Sequence, residues 1–236
     1  MKEFDKKTIL DRYAARIDKF GHGAAAIGEP KGRQSFYFSF LLEAQGIGER
    51  DSILDVGCGY GDLFAYLRSN GWAGRYVGVD INPLLIEEGR RRYPEADLRT
   101  VDIQSDELEG EFDWCICCHA LTSDTTEVPF LEHMESMLNL MWSKCQKGLV
   151  FNLLSPLADY TNPIHARPPF GGVLPVVSAL TRRFSIRHDY MPFEYAVYAY
   201  KDDQVNRQDL IFECHSARLH AFRNAQTCDG EANEQT

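Results

Sequence analysis

Short apolar runs recur along the chain from residue 52 to residue 200, and the stretches between them carry apolar residues at helical spacing. A short apolar run bounded by turn residues reads as a buried strand, whereas apolar positions three and four apart read as one face of a helix. The pattern predicts strands over residues 52–56, 75–79, 96–101, 112–118, 148–154, 184–190 and 195–200. Helices are predicted over 8–20, with a stripe of Ile9, Leu10, Tyr13, Ile17 and Phe20, and over 33–45, dense in Phe36, Tyr37, Phe38 and Phe40. Further helices fall at 62–69, stopped by Asn70-Gly71, and from Asn82-Pro83 to Tyr93. The asparagine supplies an N-cap there and the proline a first turn. Two more are predicted over 129–145 and 176–183, with an irregular proline- and glycine-rich segment over 155–175.

Strands alternating with helices predict an α/β fold, a doubly wound, mostly parallel sheet of seven strands. The turn around Pro192 is too short for a crossover helix, so the last strand is predicted to run antiparallel to its neighbour. The predicted organisation is an N-terminal helical lid (1–46), a Rossmann-like domain (47–201) and a C-terminal extension (202–236) whose polar end, 223–236, is expected to be disordered.

Candidate chemistry sits in the first two strands. Ile53-Leu54-Asp55-Val56 runs into Gly57-Cys58-Gly59-Tyr60-Gly61-Asp62, and Tyr76-Val77-Gly78-Val79 closes on Asp80. A carboxylate ending the strand after a glycine-rich turn is how an open parallel sheet grips a ribose. A dinucleotide turn needs glycines spaced G-x-G-x-x-G, so that pyrophosphate can rest on the helix start. Here the spacing is G-x-G-x-G, and Asp62 stands where the third glycine would be. That carboxylate repels a pyrophosphate but not a cofactor with a cationic amino-acid end.

The run Ile53 to Gly61 resembles the first motif of the class I, Rossmann-like, S-adenosylmethionine-dependent methyltransferases, and the resemblance extends over about residues 33–200 in element order. It implies S-adenosylmethionine as cofactor and S-adenosylhomocysteine as product. Asp55 with Gly57, Gly59 and Gly61 would face the methionine part, and Asp80 would accept from both ribose hydroxyls. Asp102 would bind the adenine amino group between Ile81 and Ile103. His119 follows strand four, where the family often places residues near the transferring methyl, and is the candidate catalytic residue. Candidate acceptor-binding residues are Arg33 and Tyr37 beside the lid, Asn152 in strand five, and Tyr160 and His165 in the segment after it.

Composition narrows the reading. The chain has 236 residues and a net charge of −10, which disfavours nucleic-acid partners. No apolar run reaches membrane-spanning length and no signal-peptide pattern opens the chain, so a cytoplasmic enzyme without a membrane partner is expected. Cys115 and Cys118 form a C-x-x-C inside a predicted strand, and lacking a second such pair they are read as core cysteines rather than a metal site. The turns and acidic hairpins of the DNA-amino, protein-glutamine, protein-arginine and metal-dependent catechol branches are not found. The expected activity is metal-free, in-line methyl transfer to the N or O atom of a small molecule, with a heterocyclic or aromatic metabolite of specialised metabolism as the leading acceptor. A carrier-bound or protein carboxylate, or a non-catalytic binding subunit, are the alternatives, and a homodimer is left open.

Overall fold

The computed structural model describes residues 3–29, 31–123, 128–160 and 164–232. Helices α1 (Glu3–Phe20) and α2 (Gln34–Leu41) precede the first strand. There follow β1 (Ile53–Val56), α3 (Asp62–Ser69), β2 (Tyr76–Asp80), α4 (Pro83–Arg92), β3 (Asp97–Thr100) and β4 (Phe112–Cys117). Then come α5 (Phe130–Lys144), β5 (Cys145–Leu154), α6 (Phe170–Leu180), β6 (Phe184–Arg187) and β7 (Glu194–Tyr200). The seven strands lie in the order β3-β2-β1-β4-β5-β7-β6. Strands β1 to β5 pair in parallel, and β7 runs antiparallel between β5 and β6. The seven-stranded, mostly parallel sheet with an antiparallel last strand is the one the sequence predicts.

The strands are apolar nearly throughout because both sheet faces are covered. Successive side chains of β1 go to opposite sides. Leu54 and Val56 join Met134, Leu138, Met141, Val173 and Val177 beneath α5 and α6. Ile53 joins Leu63, Phe64, Leu67, Ile86, Leu98 and Trp114 beneath α3 and α4, and α2 adds Phe38 and Leu41. The Asn82 side chain accepts from Leu84 N at 3.0 Å and starts α4, as its N-cap position predicts. Both helix starts that follow β1 and β2 therefore open toward the same end of the sheet.

Several boundaries differ from the sequence pattern. Helix α1 begins at Glu3 rather than residue 8, and α2 is shorter than the predicted 33–45. Helix α6 starts at Phe170, inside the segment predicted to be irregular, and holds Pro175 in its interior. Its buried Val173 and Val177 outweigh the hydrogen bond lost at proline. Gly172 also lets α5 approach, since a Cβ there would meet Leu131 Cδ1 at 2.8 Å. Strand β6 ends at Arg187, short of the predicted residue 190.

The C-terminal region carries elements that its polar composition does not announce. It forms a two-stranded ribbon, β8 (Val205–Asn206) with β9 (Ile211–Phe212), and helix α7 (Ser216–Ala232). Alanine, arginine and glutamine are good helix formers without an apolar stripe. Asn206 Nδ2 donates to Ser216 Oγ at 3.1 Å, and Arg223 pairs with Asp209 at 2.7 Å, tying the helix to the ribbon. The remainder of the predicted disordered end, 233–236, lies outside the described residues. No helix among the described residues is long and apolar enough to cross a membrane.

Candidate active site

A cleft with about 1140 Å³ of empty space opens over the carboxyl ends of β1, β2 and β4. Ligands of open α/β sheets bind at this edge. Asp55, Gly57, Gly59, Asp80, Ile81, Asp102, Ile103 and His119 all line it. Residues drawn from four strand ends, spread over more than sixty positions, thus meet in one cavity.

The glycines differ in what they do. Gly57 has φ +76°, and a Cβ there would lie 2.2 Å from Ala120 Cβ. Gly61 has φ +83°, and its Cβ would meet Leu98 Cδ2 at 2.9 Å. Gly59, at φ +57°, faces open space. Gly61 is not on the cleft lining, and it is the close-packing point between the start of α3 and β3. Gly57→Ala is expected to cost about 2 kcal/mol or more, from both the left-handed backbone and the overlap with Ala120, as a lowered urea midpoint would report. An unchanged midpoint would show that the Ala120 turn yields freely.

Asp80 is already organised. Its Oδ2 accepts from Gly59 N at 2.9 Å, and its Oδ1 accepts from Asn82 N at 2.9 Å. One backbone N–H on each oxygen locks the carboxylate plane and leaves a lone pair on each for a pair of vicinal hydroxyls. Ile81 and Ile103 flank the same space. Asp102 is buried; its Oδ1 accepts from Gln104 N at 3.1 Å, and its Oδ2 pairs with Lys6 Nζ of α1 at 3.3 Å. These residues fit a nucleoside whose ribose meets Asp80 and whose base lies between the isoleucines. The ammonium of Lys6 occupies part of the acceptor capacity on Asp102 that an adenine amino group would use.

Asp55 is buried and accepts from Tyr76 Oη at 2.6 Å. Burial pushes its carboxyl up to about 7, against the lowering effect of the Tyr76 hydrogen bond. An acid raised in the folded state favours folding most below its unfolded value near 4, and that advantage is lost as pH rises through about 7. Urea melts of the ligand-free protein should therefore show an Asp55 contribution that declines from about pH 4 to about pH 7, and Asp55→Asn should remove that slope. A slope of the same size in the variant would mean that other groups carry it.

At the β4 end, His119 adopts a left-handed backbone with φ 62°. Its backbone N donates to Asn152 Oδ1 at 2.7 Å, which fixes the turn. Its Nε2 lies 2.8 Å from Glu194 Oε2, and its Nδ1 lies 3.7 Å from Glu29 Oε1. Asn152 in turn reaches Glu194 Oε1 at 3.4 Å. The Tyr37 ring meets the imidazole edge-on at 4.6 Å, with Arg33 over that tyrosine at 5.5 Å. Burial works against charge on His119, but the neighbouring Cys118 sulfur and the Glu194 carboxylate hold its imidazole well above the ordinary histidine value.

None of the five predicted acceptor residues is on the cleft lining: Arg33, Tyr37 and Asn152 group behind His119, and Tyr160 and His165 lie farther off. Tyr160 is exposed, edge-on to Phe193 at 5.1 Å and under Arg167 at 4.9 Å, and does not line the cleft. His165 bridges to Ser123 and contacts Thr122 O at 3.3 Å, a structural tie for the turn after β4. Cys115 and Cys117 are buried core residues, whereas Cys118 lines the cleft beside His119. Glu29, Glu194, Tyr13 and Gln34 contribute to the site without a sequence signal. Glu29, Tyr13 and Gln34 stand in the N-terminal segment with no motif around them, and Glu194 hides in a strand beside Tyr195.

Residues 53–140 match the family described as a methyltransferase domain. Over that span the chain resembles methyltransferase domains, and its sheet has the strand order of the class I, Rossmann-like fold. A methyltransferase-named protein of Mycobacterium tuberculosis is 24% identical over 152 residues, covering 62% of this chain and 90% of its own length. The trans-aconitate 2-methyltransferase of Escherichia coli O157:H7 is 29% identical over 89 residues, 38% of this chain and 35% of that enzyme. Magnesium protoporphyrin IX methyltransferase from Synechocystis PCC 6803, solved with bound SAM, shares the fold at a TM-score of 0.60 and 17% identity, covering 83% of this chain and 96% of that one. In this chain the matched span holds the glycine turn, Asp80, Asp102 and His119, whereas Glu29, Asn152 and Glu194 fall outside it. The matched span thus holds most of the motif residues on the cleft lining, and Glu29 joins them from outside it.

Proposed function

We propose that the chain transfers a methyl group from S-adenosylmethionine to a nitrogen or oxygen atom of a small molecule, without a metal. One observation carries this reading: the predicted cofactor residues other than Gly61, from β1, β2, the turn after β3 and the turn after β4, line a single cleft. The cofactor, when bound, supplies a methyl group made electrophilic by a sulfonium. Asp80 would hold the ribose hydroxyls, Ile81 and Ile103 the base, and Asp102 its amino edge, in exchange for Lys6. Asp55, beside the glycine turn, would face the amino-acid end.

The protein's task is then to hold the acceptor close and aligned. His119, paired with Glu194 and already carrying its proton, is assigned to positioning: it fixes the wall between β4 and β7 and is not free to accept a second proton. Tyr37 packs against it, and Arg33 steadies Tyr37. The names of the relatives favour a small molecule over a macromolecule. Calorimetric titration with S-adenosylmethionine, S-adenosylhomocysteine and NAD tests the reading. Micromolar binding of the first two and none of NAD is expected; no binding of either sulfur compound would overturn it.

A further inference from the structure

The acceptor wall of the cleft carries an acid that no motif announces. Glu29 stands after the turn that ends α1 and lines the cleft. Its side chain is 13% exposed, with Oε1 at 3.7 Å from His119 Nδ1. Its Oε2 is buried and has no hydrogen-bond partner among the described residues. A buried acceptor atom left without a partner is costly, and its presence on a cavity wall points to a group that arrives from outside. The titratable groups on the cleft wall are also uneven: Glu29, Asp55, Asp80 and Asp102 face His119, while burial disfavours charge on His133 and Lys6 reaches only Asp102. An anionic acceptor entering there would meet like charge, and a cationic or hydrogen-rich one would meet its complement.

We propose that the methyl acceptor is an amine, bound and deprotonated by Glu29 Oε2. This rests on the methyltransferase reading above and narrows its substrate class. The acceptor approaches as an ammonium and gives one proton to Glu29 Oε2, which frees the nitrogen lone pair. That lone pair forms the bond to the methyl carbon; the carbon–sulfur bond of the donor breaks, and sulfur keeps its electron pair. The products are S-adenosylhomocysteine and the methylated ammonium, and Glu29 returns its proton to water. Burial raises the Glu29 carboxyl; His119, Arg33 and the Tyr37 hydroxyl on the carboxylate oppose the shift, and Glu194 adds to it. A raised carboxyl is a better proton acceptor, and one placed within reach of the nucleophile is what general-base catalysis needs. His119, held by Glu194 on its other nitrogen, orients Glu29 from behind.

Three probes with one ring separate the head groups: benzylamine, benzyl alcohol and benzoate, each titrated into the full chain saturated with S-adenosylhomocysteine and followed by NMR shifts. Benzylamine is expected to bind about 10-fold or more tightly than benzoate, with benzyl alcohol between them. Glu29→Gln should erase most of that preference while leaving the affinity for S-adenosylhomocysteine unchanged, and Glu29→Asp should retain it. In the wild type the preference should shrink as pH falls and Glu29 gains its proton, a readout that needs no variant. Benzoate binding as tightly as benzylamine would overturn the proposal, as would benzyl alcohol binding more tightly than benzylamine or a preference that survives in Glu29→Gln. Weakened S-adenosylhomocysteine binding in Glu29→Gln would also overturn it, by placing Glu29 on the cofactor's own ammonium. Failure of the wild type to bind S-adenosylhomocysteine at all is a different result: it removes the methyltransferase reading, and this proposal falls with it.

Discussion

Asp80→Ala is expected to weaken S-adenosylhomocysteine binding by about 3 kcal/mol, on the order of 100-fold, in calorimetric titration. The size follows from the geometry. Each Asp80 oxygen is oriented by one backbone N–H, from Gly59 and from Asn82, so the carboxylate meets two vicinal hydroxyls without reorganising. Truncation removes two charge-assisted hydrogen bonds and also releases the Gly59 turn. Asp80→Asn keeps the shape and one acceptor oxygen, so its loss should be intermediate. Equal affinity in wild type and Asp80→Ala would mean that the ribose lies elsewhere. Both variants should keep their fold, because Asp80 stands at the end of its strand and the apolar partners of β2 are untouched.

The second large effect is on stability. Glu194 is 3% exposed and is the charged partner of His119 Nε2 at 2.8 Å. Removing one member of a buried pair leaves the other uncompensated, which is far more damaging than never having had the pair. His119 keeps partial contact with water, so Glu194→Ala is expected to destabilise the fold by about 2–3 kcal/mol. For a chain of this size that is a fall of roughly 4–12 °C in Tm. The effect should depend on pH. A histidine whose folded pKa lies above its unfolded value contributes stability fully below about 6.5, and loses it as pH rises through the folded value. The wild type and Glu194→Ala should therefore differ most in mildly acidic buffer and converge at high pH. Melting curves at several pH values measure this directly, and a difference that stays constant across pH would show that His119 is neutral in the pair.

The first prediction concerns a residue lining the cleft and the second the acid behind His119, and they divide along the line between what was legible in the chain and what was not. The cofactor wall is built from short-range signals. Ile53 to Gly61 is a strand and its turn, Asp80 ends the next strand, and Asn82-Pro83 starts the next helix. Each can be read because the hydrogen bonds that make it lie within a few residues. Even there, the motif does not announce that the left-handed backbone of Gly61 also serves the packing against Leu98. A glycine needed for approach by a ligand and one needed for approach by a side chain look alike in a motif.

The acceptor wall depends on pairings between distant positions. Glu194 meets His119 because β7 inserts beside β5 and brings residue 194 opposite residue 154, within reach of Asn152 and the β4 turn. Glu29 meets His119 from the far side through a turn after α1 that has no sequence signature. Tyr160 and His165, chosen because they followed the right strand, sit on the outer surface and in the turn that ties down residue 123. Helix α6 likewise contradicts its own prolines and glycines because Val173 and Val177 have a core to enter. The sequence by itself determined the alternation of strands and helices, the direction of the last strand and the cofactor edge, since local periodicity and turn chemistry encode them. Only the tertiary structure decided which acids share a cavity with His119 and which carboxylate oxygen is left without a partner. Those facts are set by sheet order and chain packing, and no local pattern carries them.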